Sequence, residues 1–454
     1  MQKINSALFL ALATLATGFL AAGCTQTGQT SSNPDSTPNS GAATSPASST
    51  TTTSSGKGLK IGSLLPTTGD LASIGQQMVG AVPLLKDTVN ACGGVNGEPV
   101  TLIEVDDQTD PKAGAAGMTK LATLDKAGGV VGSFASSVSS AAVSIAAPNK
   151  VMLISPGSTS PKFTEQAQKG DFKKGNPNNF WARTAPPDTY QALALAQLAH
   201  KKGFKRVSTV VINNDYGVGF EKAFVPAFEK LGGTVINKDK PIRYDPKAQT
   251  FDTEASAAFA GKPEAVIAVM YAETGSLLLK SAYQQGLTKG VQIMLTDGVK
   301  SPTFPEQVGK GSDGKYIITG AIGTVPGSDG KALEAFNKLW QSKKGGSPGE
   351  YAPQAWDAAA LLVLAAQAAK ENTGVGIASK IREVSSGSGT EVTDVCEGLK
   401  LLKEGKKINY QGASGNVDVD ENGDVLGVYD VWTVGDDGKI TVIDKVNLDK
   451  ASAK

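Results

Sequence analysis

Histidine is almost absent from this sequence, since the 454 residues contain only His200. A site built from several imidazoles, such as a zinc site or a Ser-His-Asp triad, is therefore disfavoured. Neither sign of charge is in excess, because 44 Lys and Arg balance 43 Asp and Glu. A nucleic-acid surface needs a basic excess, so we expect no nucleic-acid partner. Chemistry that uses only carboxylates or lysines is still compatible with this composition.

Long apolar runs and catalytic signatures are missing as well. Beyond the N-terminus, no stretch approaches the ~20 consecutive apolar residues of a membrane helix. The sequence has no phosphate-binding G-x-x-x-x-G-K-[ST] loop, no complete dinucleotide fingerprint, no nucleophile elbow and no His/Cys set with metal spacing. We therefore expect a binding protein and not an enzyme, with no cofactor and no metal.

The N-terminus has the pattern of an export signal. A basic residue precedes an apolar run from Ala7 to Leu20, which suits a signal-peptide core and is short for a membrane span. The run ends in Ala21-Ala22-Gly23-Cys24, which resembles a bacterial lipobox with Ala21 where Leu is commonest. We predict a signal peptide over residues 1–23 and lipidation of Cys24. An ordinary export signal with a chance cysteine is the alternative.

Residues 24–58 are almost entirely Ser, Thr, Pro, Gly and other small or polar residues. Such a composition offers too little apolar surface to offset the entropy of ordering the chain. We therefore expect a flexible linker between a lipid anchor and a folded body. The protein would be exported, to the periplasm or the outer face of the cell membrane, and attached to the membrane by lipid alone.

From residue 59 onward, short apolar runs alternate with stretches of helical periodicity, which is typical of βαβ units around a parallel sheet. A second series of the same kind begins after Ala185-Pro186-Pro187-Asp188. Two series predict an α/β protein with two doubly wound, Rossmann-like lobes. The predicted bounds are 59–184 with 322–420 for lobe 1, and 185–321 with 421–454 for lobe 2. A strand over Tyr316–Ile322 is predicted to leave lobe 2, and a final hairpin to pair Val428–Val434 with Ile440–Val446.

Two of the predicted strands end in clusters of hydroxyls. Val130–Phe134 runs into Ser136, and Val151–Ile154 runs into a segment that contains Thr159. Ligands of open parallel sheets bind at the carboxyl ends of strands, where helix N-termini offer unpaired N–H groups. Ser136 and Thr159 are therefore candidate anion-binding residues, and the alternative is that these hydroxyls only cap helices.

Six segments in order resemble a known family: Lys60-Ile-Gly-Ser-Leu-Leu-Pro-Thr-Thr-Gly, Asn90-Ala-Cys-Gly-Gly-Val-Asn-Gly, Asp106-Asp-Gln-Thr-Asp-Pro-Lys, Ile154-Ser-Pro-Gly-Ser-Thr-Ser-Pro, Asn214-Asp-Tyr-Gly-Val-Gly and Tyr410-Gln-Gly-Ala-Ser-Gly. Together they resemble the type 1 periplasmic binding proteins of ABC importers, in the Leu/Ile/Val-binding branch. The resemblance spans about residues 59–435. It implies two lobes joined by three chain crossings, which close on an amino acid.

The resemblance also implies roles for single residues. Ser136 and Thr159 would bind the ligand α-carboxylate with nearby backbone N–H groups, and Asp297, where the family often has Glu, would meet the α-ammonium. Two tyrosines would cover the ligand, and one position that is aromatic in well-known members is Ile74 here. The candidate ligand-binding residues are Ile74, Phe134, Ser136, Gly157, Ser158, Thr159, Tyr216, Tyr271 and Asp297. Judged without the resemblance, Asp297 reads equally as a turn residue, and the tyrosines as strand-end packing.

The cysteines depart from the family pattern. Well-known members have a disulfide near the carboxylate site, but Thr109 and Ala135 replace its two cysteines here. Cys92 and Cys396 remain, and export favours their oxidation. We predict that they pair and clamp the first helix to a late C-terminal helix; two buried free thiols are the alternative.

The residues and the resemblance together predict a substrate-binding lipoprotein of an ABC importer. It would capture a neutral or branched-chain amino acid by hinge closure, act as a monomer and present the ligand to the membrane subunits of an ABC permease. Two alternatives stay open. One is the same transport role for urea or a short amide, and the other is a ligand-sensing module for a separate receptor.

Overall fold

The computed structural model describes residues 58–448. The predicted signal peptide, the lipidation site at Cys24 and the linker up to residue 57 lie outside these described residues. So does the end of the chain from residue 449 onward.

Strands and helices alternate along the described chain, as the apolar periodicity predicts. The strands are β1 (Lys60–Leu65), β2 (Thr101–Asp106), β3 (Gly129–Gly132), β4 (Met152–Ser155), β5 (Trp181–Arg183), β6 (Arg206–Ile212), β7 (Thr234–Val235), β8 (Ile242–Tyr244), β9 (Ala265–Val269), β10 (Gln292–Leu295), β11 (Ile322–Pro326), β12 (Thr390–Val392), β13 (Ile408–Tyr410), β14 (Val428–Val434) and β15 (Ile440–Asn447). The helices are α1 (Ala72–Met78), α2 (Ala81–Ala91), α3 (Pro111–Thr119), α4 (Ser136–Ala146), α5 (Lys162–Gln168), α6 (Asp188–Lys201), α7 (Asp215–Lys230), α8 (Asp252–Phe259), α9 (Ala272–Gln284), α10 (Phe304–Val308), α11 (Leu333–Lys344), α12 (Ala352–Ala369), α13 (Gly374–Ser386) and α14 (Val395–Lys403).

The strands form two main sheets. The first has five parallel strands in the order β2-β1-β3-β4-β5. The second has eight strands, with the path β15-β14-β11-β10-β9-β6-β7 and β8 beside β6; only β14 runs antiparallel to its neighbours, β11 and β15. A short pair, β12 and β13, lies apart from both. The predicted fold class, two α/β lobes with parallel sheets, is confirmed, and we call them lobe 1 and lobe 2.

The chain passes between the lobes three times. It leaves lobe 1 after β5 and enters lobe 2 through α6. It returns after β11 to α11–α14, where α12 packs against β3, β4 and α2 of lobe 1. The last crossing, between β13 and β14, returns the chain to lobe 2, in agreement with the three crossings that the resemblance implies.

One predicted strand and one predicted boundary are wrong. Residues 317–320 form a turn that ends at Gly320 with a positive φ of 78°, so the predicted strand at Tyr316–Ile322 does not form. The strand is Ile322–Pro326, which pairs in parallel with β10 and antiparallel with β14. Its five residues are all buried, and it belongs to lobe 2. The second part of lobe 1 therefore begins after Pro326 and not at residue 322.

Helix α12 lies in the core, because all its residues from Ala352 to Gln367 are buried. Its many alanines allow neighbouring elements to approach closely, which suits a helix covered on all sides. Within residues 58–448, neither this helix nor any other is long and apolar enough to cross a membrane.

A disulfide joins Cys92, which caps the C-terminus of α2, to Cys396 in α14, with Cα atoms 5.9 Å apart. The predicted pairing of Cys92 with Cys396 is confirmed, and the helix that ends at Cys92 is the second of the structure and not the first. Because 304 residues separate the two cysteines, the bond closes a very long loop of the unfolded chain.

We expect the paired substitution of Cys92→Ser and Cys396→Ser to lower the free energy of unfolding by about 2–5 kcal/mol, chiefly through the freed unfolded chain. Thermal unfolding of the wild type with and without reductant is the control, and reductant should reproduce the shift. Equal melting temperatures for the variant and the oxidised wild type would contradict the expectation.

Candidate ligand-binding site

The two hydroxyl clusters meet in one hydrogen-bond network at the end of β3. The carbonyl oxygen of Ser133 accepts hydrogen bonds from the hydroxyls of Ser139 (3.0 Å), Ser155 (2.5 Å) and Ser158 (3.2 Å). All four serines are buried. The strand ends of β3 and β4 are therefore fixed to each other, as expected for neighbouring parallel strands whose carboxyl ends share one edge.

A buried arginine fixes the loop that follows β4. Arg183 donates from Nη1 to the carbonyl oxygens of Ser158 (3.0 Å) and Ser160 (2.9 Å), on either side of Thr159. Its Nε donates to Asp424 at 2.7 Å, so the guanidinium also ties this loop to the third crossing. Arg183 is fully buried, where an unpaired charge would be costly and a hydrogen-bonded one orders its neighbours.

The two candidate carboxylate-binding hydroxyls lie in this loop system. Ser136 opens α4, and its Oγ accepts a hydrogen bond from the backbone N–H of Ser160 at 3.3 Å. Thr159 is fully buried, and in the described chain its Oγ1 has no hydrogen-bond partner. Beside them, the first-turn amides of α4 have no partners within the helix. This combination can accept an anion.

Phe134 lies against the backbone of Gly157. A Cβ atom at position 157 would be 2.1 Å from the ring of Phe134, so only glycine allows this contact. The ring of Phe134 also meets Tyr351, edge to face, with centroids 4.7 Å apart. Tyr351 immediately precedes α12 and has the left-handed φ of 62°, an uncommon conformation for a bulky residue.

Asp297 lies where the two lobes meet, directly after β10 and Thr296. The hydroxyl of Tyr216, from α7 of lobe 2, donates to its Oδ1 at 2.8 Å. The hydroxyl of Tyr351, from lobe 1, donates to its Oδ2 at 2.9 Å. Asp297 is buried, and burial raises its pKa while these two hydrogen bonds act in the opposite direction.

A second buried acid, Asp188, lies close to Asp297. It is the first residue of α6, and its backbone N–H donates to the carbonyl oxygen of Thr159 at 2.8 Å. Burial and then repulsion by Asp297 raise the pKa of Asp188 well above its ordinary range. Thr159 and Arg183 lie near enough to act against that rise, yet within residues 58–448 neither carboxylate oxygen has a hydrogen bond of normal geometry. Two such acids favour a cation that carries N–H donors.

Tyr271 completes an aromatic stack in lobe 2. Its ring is nearly parallel to that of Tyr216, at 10° with centroids 5.7 Å apart. Tyr271 is buried, and its hydroxyl has no hydrogen bond of normal geometry within the described chain, although Asn214 is close.

Polar contacts join the lobes along both sides of the site. Asp215 of lobe 2 accepts hydrogen bonds from Ser140 (2.6 Å) and from Lys162 (2.9 Å) of lobe 1. In addition, the backbone N–H of Ser73 donates to Glu273 at 3.3 Å. The lobes therefore touch at Asp215 and Glu273 as well as at Asp297, where tyrosines of both lobes meet.

The family described as the receptor family ligand binding region matches residues 77–437. The Leu/Ile/Val-binding protein homolog 1 of Brucella abortus is 30% identical over 394 residues, which covers 84% of this chain and 92% of that protein. This chain belongs to the Leu/Ile/Val-binding family of type 1 periplasmic binding proteins.

Other members agree in fold and class. The crystal structure of a leucine-binding protein, LivK, from Thermotoga maritima superposes with a TM-score of 0.70 at 25% identity, and covers 86% of this chain and 99% of that one. The chemotactic signal transduction system substrate-binding protein BasB of Halobacterium salinarum is 27% identical over 372 residues, or 80% of this chain and 84% of that protein. These relatives are substrate-binding proteins of an extracytoplasmic, non-enzymatic family, so the expected binding protein is confirmed.

The structure of this family member brings some candidate residues together and not others. Four candidates are connected through Tyr351. The ring of Phe134 meets Tyr351, and Tyr351 donates to Asp297. Asp297 also accepts from Tyr216, whose ring stacks on Tyr271. Other candidates have partners within lobe 1, because the hydroxyl of Ser155 accepts the backbone N–H groups of Gly157 (3.2 Å) and Ser158 (2.8 Å). The hydroxyl of Ser158 lies 2.8 Å from that of Ser139. Ile74 is fully buried in α1.

Three residues of the site were missed in the sequence. Asp188 lies in the Pro-rich segment that marks the lobe boundary, and an acid at the start of a helix has an ordinary structural explanation there. Tyr351 precedes a helix with proline in its first turn, which gives no sign of a contact with lobe 2. Arg183 lies in a strand of three residues that has no strong apolar pattern. An acid at the lobe boundary is the one signal that could have been used.

Asp107 supports the Ser133 network from behind. It is fully buried, accepts the hydroxyl of Ser133, and accepts the backbone N–H of Thr109 at 2.8 Å. Burial raises the pKa of Asp107 to about 7, although its hydrogen bonds with Ser133 and Thr109 act against the rise.

We expect Asp107→Asn to flatten the pH dependence of stability. The unfolded carboxyl ionises near pH 4, while the folded one keeps its proton up to about pH 7. The free energy of unfolding of the wild type should therefore fall as the pH rises from about 4 to about 7. The fall should be a few kcal/mol at most, since one pKa unit corresponds to ~1.4 kcal/mol. The variant has no carboxyl at this position and should not show this fall.

Chemical unfolding at roughly pH 5.0 and roughly pH 7.5 measures the change in the free energy of unfolding with pH. By the linkage relation, the first value lies within the window and the second lies above it. Asp110→Asn is the control, because hydrogen bonds from α3 amides lower the pKa of Asp110 and its ionisation is complete at both values. Parallel profiles for the wild type and Asp107→Asn would contradict the expectation.

Proposed function

We propose that this protein is the extracytoplasmic substrate-binding component of an ABC importer, and that it captures an α-amino acid by closure of its two lobes. The observation that carries the proposal is the neighbouring pair of buried acids, Asp188 and Asp297, at the junction of the lobes. As part of the same proposal, a lipid on Cys24 and the linker to residue 58 attach the protein to the membrane.

The cationic end of the ligand would lie between the two acids. A zwitterion loses the solvation of both charges when it is enclosed, so each charge needs polar partners in the protein. Neither the carboxylate oxygens of Asp188 nor the Oγ1 of Thr159 has a hydrogen bond of normal geometry in the described chain, although the two side chains lie close together. An ammonium group has three donors, and it would satisfy these acceptors while lowering the repulsion between the acids.

The anionic end would lie at the N-terminus of α4. Ser136 has a hydroxyl hydrogen to donate there, and the helix adds first-turn amides and the positive end of its dipole. Thr159 would lie between this anion site and Asp188. The α-carbon of an amino acid would then lie near Thr159, with the carboxylate toward α4 and the ammonium toward Asp188.

Closure would be coupled to binding through Asp297. Tyr351 of lobe 1 and Tyr216 of lobe 2 both donate to this carboxylate, so a ligand that orders Asp297 also favours contact between the lobes. A ligand that binds the closed form better shifts the population toward it, and the permease would recognise that closed form.

The names of the relatives support leucine, isoleucine, valine or another neutral amino acid as ligand. Urea or a short amide in the same transport role agrees less well with two buried acids, because neither ligand brings a positive charge to them.

A second candidate function is ligand sensing, which the similarity to the chemotactic protein BasB favours. In that case the closed protein would contact a separate receptor. Deletion of the protein from its cell distinguishes the two roles: loss of ligand uptake supports import, and loss of a tactic response with normal uptake supports sensing.

We expect Asp297→Asn to weaken amino-acid binding at least ~100-fold, because removal of one partner from a buried charge pair costs about 3–5 kcal/mol. Ligands found by a thermal-shift screen of the wild type would be titrated into the variant by calorimetry, with circular dichroism as the folding control. Unchanged affinity for all of them would remove Asp297 from the site.

We also expect Tyr351→Phe to weaken binding ~10-fold, since a hydrogen bond to a charged group contributes about 1.5–3 kcal/mol. Tyr410→Phe is the matched control, because Tyr410 donates at 2.8 Å to a different buried acid, Asp357, which is not assigned to the ligand. That variant should lose stability and keep its affinity. Equal affinities of the two variants would contradict a role of Tyr351 in closure.

A further inference from the structure

Gln191 of α6 is fully buried and lies three positions after Asp188, the first residue of the same helix. Side chains three positions apart are neighbours on a helix surface, so those of Asp188 and Gln191 leave α6 on one face. Helix α6 packs against β11, and this face carries Gln191 toward the sheet of lobe 2. A second polar residue therefore lies beside the acid that we assign to the ligand.

The amide nitrogen of Gln191 has its partners within lobe 2. Its Nε2 donates to the carbonyl oxygen of Thr324 at 3.0 Å and lies 3.3 Å from the hydroxyl of the same residue. Because a carbonyl oxygen can only accept, this contact fixes which end of the amide is the nitrogen. These contacts explain the nitrogen as a clamp between α6 and β11.

The register of the sheet places Gln191 beside Asp297. Strands β10 and β11 pair in parallel, and their register, extended by one residue, brings Thr296 beside Thr324. Asp297 follows directly after Thr296, so a side chain that reaches Thr324 lies next to Asp297. In agreement, the amide of Gln191 is close enough to Asp297 to act against the rise in the pKa of that carboxyl.

The amide oxygen of Gln191 has no such partner. Within residues 58–448 its Oε1 is buried and accepts no hydrogen bond, which is unusual for a buried polar atom. The clamp to β11 does not explain this oxygen. Both carboxylate oxygens of Asp188 are in the same condition. The hydroxyl of Thr159 can itself donate, whereas the amide oxygen can only accept, so Gln191 needs a donor from outside the described chain.

We propose that Gln191 accepts one N–H of the ligand's ammonium group, and that the site therefore selects a primary α-amino group. This inference rests on the proposed capture of an amino acid. A primary ammonium has three N–H donors, which would reach Asp188, Asp297 and the Oε1 of Gln191. The secondary ammonium of proline or of an N-methyl amino acid has two, and it would leave one buried acceptor unpaired. The ligands would thus be primary α-amino acids, with proline and N-methyl amino acids excluded.

Calorimetric titration with L-leucine and N-methyl-L-leucine tests the proposal, because the methyl group removes one N–H and keeps the charge. If a thermal-shift screen finds no binding of leucine, the tightest-binding amino acid and its N-methyl derivative replace this pair. The purified protein would first be unfolded and refolded to remove any bound ligand. We expect the N-methyl derivative to bind at least ~100-fold more weakly, since a site that hydrogen-bonds an N–H rejects an analogue that lacks it. Equal affinities would overturn the inference and leave the proposed function intact. If no α-amino acid binds, the proposed function fails as well.

Variants of Gln191 separate the missing N–H from the bulk of the methyl group. Gln191→Leu, and Gln191→Met as an unbranched second variant, should lower the ratio of the two affinities by roughly tenfold, mainly by weakening the parent amino acid. Gln307→Leu is the matched control, because the Oε1 of this α10 residue is also buried without a hydrogen bond in the described chain and is not assigned to the ligand. The control should keep the ratio, and circular dichroism checks the folding of each variant. An unchanged ratio in the variants of Gln191, with affinity lost equally for both ligands, would assign this residue a structural role and overturn the inference.

Discussion

Two neighbouring carboxylates buried at the junction of the lobes constrain the rest of the site. Asp188 and Asp297 repel each other, and burial removes the water that would screen them. Asp297 forms no ion pair in the described chain, and the hydroxyls of Tyr216 and Tyr351 donate to its two oxygens. An arrangement of this kind favours a ligand with a positive charge, and it links the charge of that ligand to contact between the lobes.

The scaffold around these acids is rigid on the side of lobe 1. Arg183 donates to the backbone on both sides of Thr159. The carbonyl oxygen of Ser133 accepts hydrogen bonds from hydroxyls that follow both β3 and β4. Lobe 2 contributes the stacked rings of Tyr216 and Tyr271. One lobe therefore presents a preorganised polar surface, and the other presents aromatic rings and an acid that complete the enclosure.

The sequence predicts the alternation of strands and helices well, because apolar periodicity reports which faces are buried. The prediction fails at β11. Apolar residues continue from a turn that ends at Gly320 into a short buried strand, so the apolar pattern does not show where the strand begins. Asp297 and the tyrosines follow from motifs, whereas Asp188 and Tyr351 come into the site only through long-range packing. Ser158 shows the opposite case: the resemblance implies that its backbone N–H helps to bind the ligand, whereas in the structure the hydroxyl of Ser155 accepts that N–H within lobe 1. Local patterns specify elements, but the partners of a side chain depend on the assembled lobes.

The central claim is that the acids at the lobe junction select an ammonium group. The most direct measurement compares the affinity for an α-amino acid with that for the matching 2-hydroxy acid, in which a neutral hydroxyl replaces the ammonium. The account predicts that the hydroxy acid binds at least ~100-fold more weakly, as expected when a buried charge pair loses one member. Equal affinities would show that Asp188 and Asp297 do not bind the cationic end of a ligand.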